Sequence, residues 1–183
     1  MLIKKTVALN QAHRLINVGP VVLVTSAHDG RQNVMAAAWT TPLCSRPPLV
    51  SVAIHVGHYT HELITASREF VLNVPGENVL AAVEFCGSGS GRGRDKLGES
   101  GLTLVPATEV GAPLIAECLG HIECQLVRAP VFGDHSLFVG QVVAAAADAE
   151  LFTGTWLLPS GKPRPVHHLG GRHYGALEAR VSP

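Results

Sequence analysis

Residues 21–43 read VVLVTSAHDGRQNVMAAAWTTPL, and the fold follows from how this stretch is parsed. VVLVTSAH (21–28) is an apolar, β-branched run closed by His28-Asp29-Gly30-Arg31, where Gly30 can take the positive φ of a tight hairpin turn. A return strand is expected over QNVMAAAWTTPL (32–43), stopped by Ser45-Arg46-Pro47-Pro48. LVSVAIHV (49–56) then supplies a third strand. Three strands in such close succession indicate a β-rich core.

Working outward, THELITASRE (60–69) has apolar residues at helical spacing behind Tyr59 or Thr60, which predicts a short helix. EFVLNVP (69–75) returns to strand, and ENVLAAVEFCG (77–87) has helical spacing at Val79, Leu80 and Val83, with Gly87 placed just past its end. LTLVPATEV, AECLGHIECQLVRAP and HSLFVGQVVAAAADAE are read as further strands, the last two joined by Val131-Phe132-Gly133-Asp134. PRPVHHLGGRHYGAL is read as turn-rich. No repeat, linker or shift in composition divides the chain, so one domain over residues 1–183 is expected. Many evenly spaced strands with two or three short helices favour a closed barrel over a doubly wound sheet.

The chain has 183 residues, enough to bury roughly 70% of the surface its unfolded form would expose. Apolar residues make up 46% and charged residues 15%, which excludes disorder from low hydrophobicity and argues against a coiled coil. Fourteen basic and fourteen acidic residues cancel, with no long block of one sign, so nucleic acid is not an expected partner. The start, MLIKKTVALNQAHRLI, lacks an apolar run of signal-peptide length, and no segment approaches the roughly 18 apolar residues of a membrane span. The expectation is a cytoplasmic protein with no membrane partner.

Cys118, His121 and Cys124 in ECLGHIEC raise the question of a metal. On a strand the two cysteines would share a face but lie about 20 Å apart at about 3.3 Å per residue, whereas zinc ligands each sit about 2 Å from one ion. No metal site is expected there.

CGSGSGRGRDK (86–96) invites a nucleotide reading. A dinucleotide fingerprint fails because Arg94 stands where the third glycine belongs and a helix, not a strand, precedes it. A Walker loop fails because Asp95 precedes Lys96 and no GKS or GKT occurs. What remains is a basic loop of Arg92, Arg94 and Lys96, which by itself could be a solvated turn.

Two other stretches could build a site beside it. Ala36, Ala37 and Ala38 leave a strand backbone thinly covered next to Trp39, Thr40 and Thr41, so a flat heterocycle could approach closely; a barrel strand filled with alanine for tight packing would look the same. GHYTHEL (57–63) turns from a strand end into a helix, whose first amides suit a phosphate monoester at His58, Tyr59 and Thr60. An ordinary N-cap by Thr60 is the plainer alternative.

Taken in order, NVMAAAWTTPLCSRPPLVSVAI, HYTHELI, EFVLNVP, SGRGRDK, GDHSLFVGQVV and HHLGGRHYG resemble the successive blocks of the flavin reductase-like, FMN-binding split-barrel family, particularly its flavoredoxin branch. The likeness runs from about Val21 to Tyr174; Leu97 departs from the aromatic that often follows Asp-Lys in relatives. The resemblance implies a mainly β, Greek-key split barrel with a few short helices, acting as a homodimer with FMN near the subunit interface. It implies that Asn33, Met35, Ala36, Ala38, Trp39, Thr40 and Thr41 line the isoalloxazine, and that Ser51, His58, Tyr59 and Thr60 hold the ribityl chain and phosphate. Arg92, Arg94 and Lys96 would close over the phosphate. His135 in GDH would touch the ring or an incoming nicotinamide, and His168, Gly170, Gly171 and Tyr174 would lie near the flavin.

FMN chemistry needs no acid-base pair from the protein, which fits a chain without a Ser-His-Asp set or nucleophile elbow. The implied activity is NAD(P)H-dependent flavin reduction. The alternative is a flavoredoxin-type electron carrier without its own NAD(P)H site, serving a redox partner protein. A third class, a haem- or metal-binding barrel using His167 and His168, is disfavoured because adjacent strand residues point to opposite faces.

Overall fold

A computed structural model describes residues 4–179. The hairpin closes as expected: β2 (Val22–His28) pairs with β3 (Arg31–Ala37), after a two-residue strand β1 (Gly19–Pro20), through a turn in which Asp29 and Gly30 have φ of 48° and 72°. Positive φ at both central residues gives the turn whose twist matches that of the strands.

The expected return strand does not run on to residue 43. It ends at Ala37, and β4 (Thr40–Ser45) pairs instead with β5 (Pro48–His55). With β6 (Glu69–Val74), β9 (Gly120–Arg128) and β11 (His135–Ala147), the main sheet runs β3-β2-β6-β9-β11-β5-β4, and the short β10 (Val131–Phe132) pairs with β11. β3 and β4 thus stand at opposite ends of the sheet, yet only Ala38 and Trp39 separate them in the chain. The Trp39 carbonyl accepts from the Ala53 amide at 2.9 Å, so the chain itself bridges the gap of a Greek-key split barrel.

β2 is buried along both faces. Val22 and Val24 pack into the barrel with Val52, Ile54, Phe70, Leu72, Cys124 and Phe138. Leu23, together with Val34, Val83, Cys86 and Leu97, belongs to a second cluster outside the barrel wall, built with α2 (Leu80–Gly87) and α3 (Lys96–Ser100). A continuous apolar run, rather than an alternating one, is what burial on two faces demands. α1 (Tyr59–Ser67) connects β5 to β6 and buries Leu63 and Ile64. Gly140 in β11 is required by packing, since a Cβ there would meet Phe70 Cζ at 2.6 Å and Cys124 Cβ at 2.8 Å.

Other expectations need correcting. LTLVPATEV keeps only β7 (Leu104–Val105), paired with β8 (Leu114–Ile115), because Pro106 removes a ladder donor at once. Cys118 lies in the turn before β9 and packs in the outer cluster while Cys124 packs in the inner one, so the two do not share a strand face. Gly87 is the last residue of α2 rather than the one beyond it. The C-terminal stretch read as turn-rich forms a hairpin, β12 (Val166–Gly170) with β13 (His173–Ala176), turning at Gly170 and Gly171 with φ of 113° and 59°. β1 completes this small sheet. Among the described residues no helix is long and apolar enough to cross a membrane.

Candidate functional site

The alanine strand, the start of α1 and the glycine-rich loop meet at one cavity of about 340 Å3, lined by Asn33, Met35, Ala36, His58, Tyr59, Thr60, Cys86, Gly91 and Lys96 among others. Register explains the first part: Asn33 and Met35 of β3 lie opposite Ser26 and Val24 of β2. α1 is N-capped by His58, which makes no side-chain capping bond. Thr60 is therefore not the cap; it lies inside the first turn, where its hydroxyl accepts from Asn33 Nδ2 at 2.7 Å and keeps its own proton for another acceptor. The amides of Tyr59 and Thr60 precede any intrahelical acceptor, whereas those of His61 and Glu62 already donate to the His58 carbonyl.

Lys96 is the dominant charge here. It is only 4% exposed, and its ammonium donates to the carbonyls of Cys86 at 2.5 Å and Gly89 at 3.2 Å. No carboxylate among the described residues pairs with it. Burial pulls its pKa below that of a free lysine, and pushes the neighbouring Cys86 thiol up to about 11. Burial also lowers His58, with repulsion from His55 and His135 adding to it. A buried cation without a counter-ion is costly and calls for an anion. Asn33 Oδ1 is buried with no hydrogen-bond partner, an acceptor left for a donor such as a ribityl hydroxyl.

Through Ala36 and Gly87 this cavity continues into a groove of about 740 Å3, lined also by Ala37, Ala38, Phe85, His168, Gly171 and Tyr174. Bare alanine on one side and an aromatic ring on the other leave room for a flat ring system. His168 Nδ1 is buried there without a partner, while its Nε2 lies 3.0 Å from the Gly171 carbonyl. Beyond it, Trp39, Gly170, His13 and Asn17 enclose a small recess that shares His168 and Gly171 with the groove.

Several expected site residues lie elsewhere. Arg92 and Arg94 line a separate cavity on the other side of the loop. Arg92 is ion-paired to Glu62 and sits over the Tyr59 ring; Arg94 is paired to Glu99 and sits over Phe85. Thr40 donates to the Ser51 carbonyl at 2.7 Å and Ser51 to that of Thr41 at 3.3 Å, so these three knit β4 to β5 and line none of these cavities. His135 is outside them too. It stacks on Trp39 with ring centroids 4.9 Å apart, and its Nδ1 lies 2.7 Å from Asp134 Oδ1. Phe85, Cys86, Glu84 and Arg172 were not foreseen; the Arg172–Glu84 ion pair joins the C-terminal hairpin to α2 across the groove. The buried half of α2 was the available signal. No cluster of ligating side chains suited to a metal occurs among the described residues.

A split barrel with a phosphate-sized cationic cavity opening into a ring-sized groove defines a flavin-binding class of protein. Comparison agrees: residues 16–167 match the family described as flavin reductase like domain. The chain belongs to this flavin reductase-like, FMN-binding family. A crystal structure of an FMN-binding domain of a flavin reductases-like enzyme from Shewanella baltica OS155 is similar over 98% of this chain and 96% of its own, with 32% identity and a TM-score of 0.83. The flavoredoxin of Desulfovibrio vulgaris (Miyazaki F) is similar over 100% of this chain and 95% of its own, at 29% identity and a TM-score of 0.81. An NADH-dependent FAD reductase of Streptomyces globisporus is 31% identical over 139 residues, covering 73% of this chain and 75% of that protein.

Proposed function

We propose that the chain is an FMN-dependent NAD(P)H:flavin oxidoreductase. The observation that carries this reading is Lys96, a buried ammonium with no carboxylate, beside an unpaired Asn33 oxygen and continuous through Ala36 with a ring-sized groove. Lys96, Thr60, His58 and the first amides of α1 would hold the phosphate, Asn33 a ribityl hydroxyl, and Ala36 to Ala38 with Phe85 and Tyr174 the ring. Bound FMN supplies the hydride-accepting chemistry at its N5. The protein would contribute position: the alanine backbone would hold one ring face, and α2 with the C-terminal hairpin would flank it.

Trp39 lines the recess beyond the groove and stacks on His135 outside it, an aromatic pair on which a nicotinamide would stack. If Nδ1–H donates to Asp134, the lone pair of His135 is at Nε2. The similarity to an NADH-dependent FAD reductase supports nicotinamide use. Leu9, Leu15 and Ile16 are 92%, 68% and 88% exposed in the segment whose His13, Arg14 and Asn17 line Trp39's recess, which supports burial against a second copy in a homodimer. Four free cysteines fit a reducing, cytoplasmic setting.

Anaerobic stopped-flow mixing of the FMN-loaded protein with NADH and with NADPH tests the reading: bleaching of the flavin absorbance is expected with at least one. No bleaching with either would reject it. The full-length likeness to a flavoredoxin would then favour an electron carrier reduced by a redox partner protein.

A further inference from the structure

The two walls of the alanine groove are held in different ways. On one side stands α2, whose Val83 and Cys86 are buried in the outer cluster while Ala81, Glu84 and Phe85 line the groove. Burial fixes this wall. On the other side the C-terminal hairpin is fixed at its root: the Val166 carbonyl accepts from the Val21 amide at 2.8 Å, the Val166 amide donates to the Pro75 carbonyl at 3.2 Å, and Val166 itself packs in the outer cluster. β1 pairs only with His167 and His168.

Past those two residues the hairpin tip is held by little. Leu169, Gly171, Arg172 and His173 are exposed, the register between β12 and β13 shifts between His168 and Gly170, and Gly170 and Gly171 both have positive φ. Among the described residues, the Arg172–Glu84 ion pair is the one side-chain bond from this tip to α2. Its side chains are 84% and 37% exposed, so salt screens the pair and its strength is small. A movable wall is thus tied to a fixed one, across a groove that both residues line, by a single weak bond.

We infer that Arg172 and Glu84 form a latch: the hairpin tip closes over a ring seated along Ala36–Ala38, and the ion pair sets how fast flavin enters and leaves. The inference rests on the flavin ring occupying this groove. Breaking the latch frees the tip in the empty and the loaded protein alike, so entry and exit both speed up and affinity stays nearly constant. A direct bond from either charge to the flavin would act differently, slowing exit alone.

The test is stopped-flow fluorescence of binding and release with riboflavin, which has no phosphate, so that salt acts on the latch and not on the Lys96 cavity. Wild type, Arg172→Gln, Glu84→Gln and the charge-swapped double variant, Arg172→Glu with Glu84→Arg, are compared. Both rate constants should rise together by about threefold in each single variant, as expected for loss of one exposed ion pair. The Kd should stay within about twofold, which also reports that the variants are folded. The swapped variant should return to the wild-type rates. Raising salt from about 0.03 M to about 0.5 M should speed release from the wild type about twofold and leave Arg172→Gln unchanged. Unaltered rates in the single variants, a rise in the release rate alone, or a swapped variant as fast as the singles would each overturn the latch while leaving the flavin reading in place. A wild type that binds neither riboflavin nor FMN would remove both together.

Discussion

Replacing Lys96 with Met should separate the phosphate from the ring. The stem keeps its volume while the ammonium, 4% exposed and held by two carbonyls without a carboxylate, is removed. A unit charge pair about 4 Å apart attracts by about 4 kcal/mol at an effective dielectric near 20. Desolvation of the phosphate offsets part of this, and truncating one partner of a buried, hydrogen-bonded pair costs about 2–5 kcal/mol. A loss of about 2–4 kcal/mol corresponds to a roughly 30- to 700-fold rise in the FMN Kd. Riboflavin, which lacks the phosphate, should change by less than about threefold. Fluorescence-quenching titrations with both flavins read this directly.

The pH dependence supplies a second readout of the same variant. Burial holds Lys96 below a free lysine's pKa, so between its folded and unfolded values the unfolded chain binds more protons and stability rises with pH. The wild-type apoprotein should thus gain stability as pH climbs through the alkaline range toward 10.5, and K96M should lack that gain. An equal loss of FMN and riboflavin affinity, or no loss of FMN affinity, would refute the placement of the phosphate.

Ala36→Leu should fill the seam shared by the cavity and the groove, raising the Kd of FMN and of riboflavin alike by tenfold or more, in contrast to K96M. Gly140→Ala should destabilise the fold by about 1–3 kcal/mol, through overpacking against Phe70 and Cys124, in a denaturant melt. His58 is held below its ordinary pKa by burial and by His55. A phosphate beside it favours imidazolium, and calorimetry near pH 6 in buffers of different ionisation enthalpy should show proton uptake on FMN binding that falls in His58→Asn.

Local signals in the sequence read well where local physics decides. Asp29-Gly30 between two apolar runs requires a hairpin, and the helical spacing of Leu63 and Ile64 is enough for α1. Ala36, the helix start and Lys96 do meet at one cavity, and Ala37 and Ala38 line the groove that adjoins it. What was not legible depends on distant partners. Nothing local ends β3 at Ala37, because the break exists to carry the chain to β5 at the opposite end of the sheet. Arg92 and Arg94 read as equals of Lys96, yet Glu62 and Glu99 draw them to the other side of the loop while Lys96 turns inward to the carbonyls of Cys86 and Gly89. The C-terminal hairpin hid behind histidines and glycines that are poor strand formers, and its pairing with β1 is set by contacts more than 140 residues apart.

A crystal structure of the protein soaked with FMN tests the central claim most directly. Phosphate density within hydrogen-bonding distance of Lys96 Nζ and Thr60 Oγ1, with the tricyclic ring lying along Ala36–Ala38, is the expected result. Phosphate seated between Arg92 and Arg94 instead, with the alanine groove filled by solvent, would contradict it.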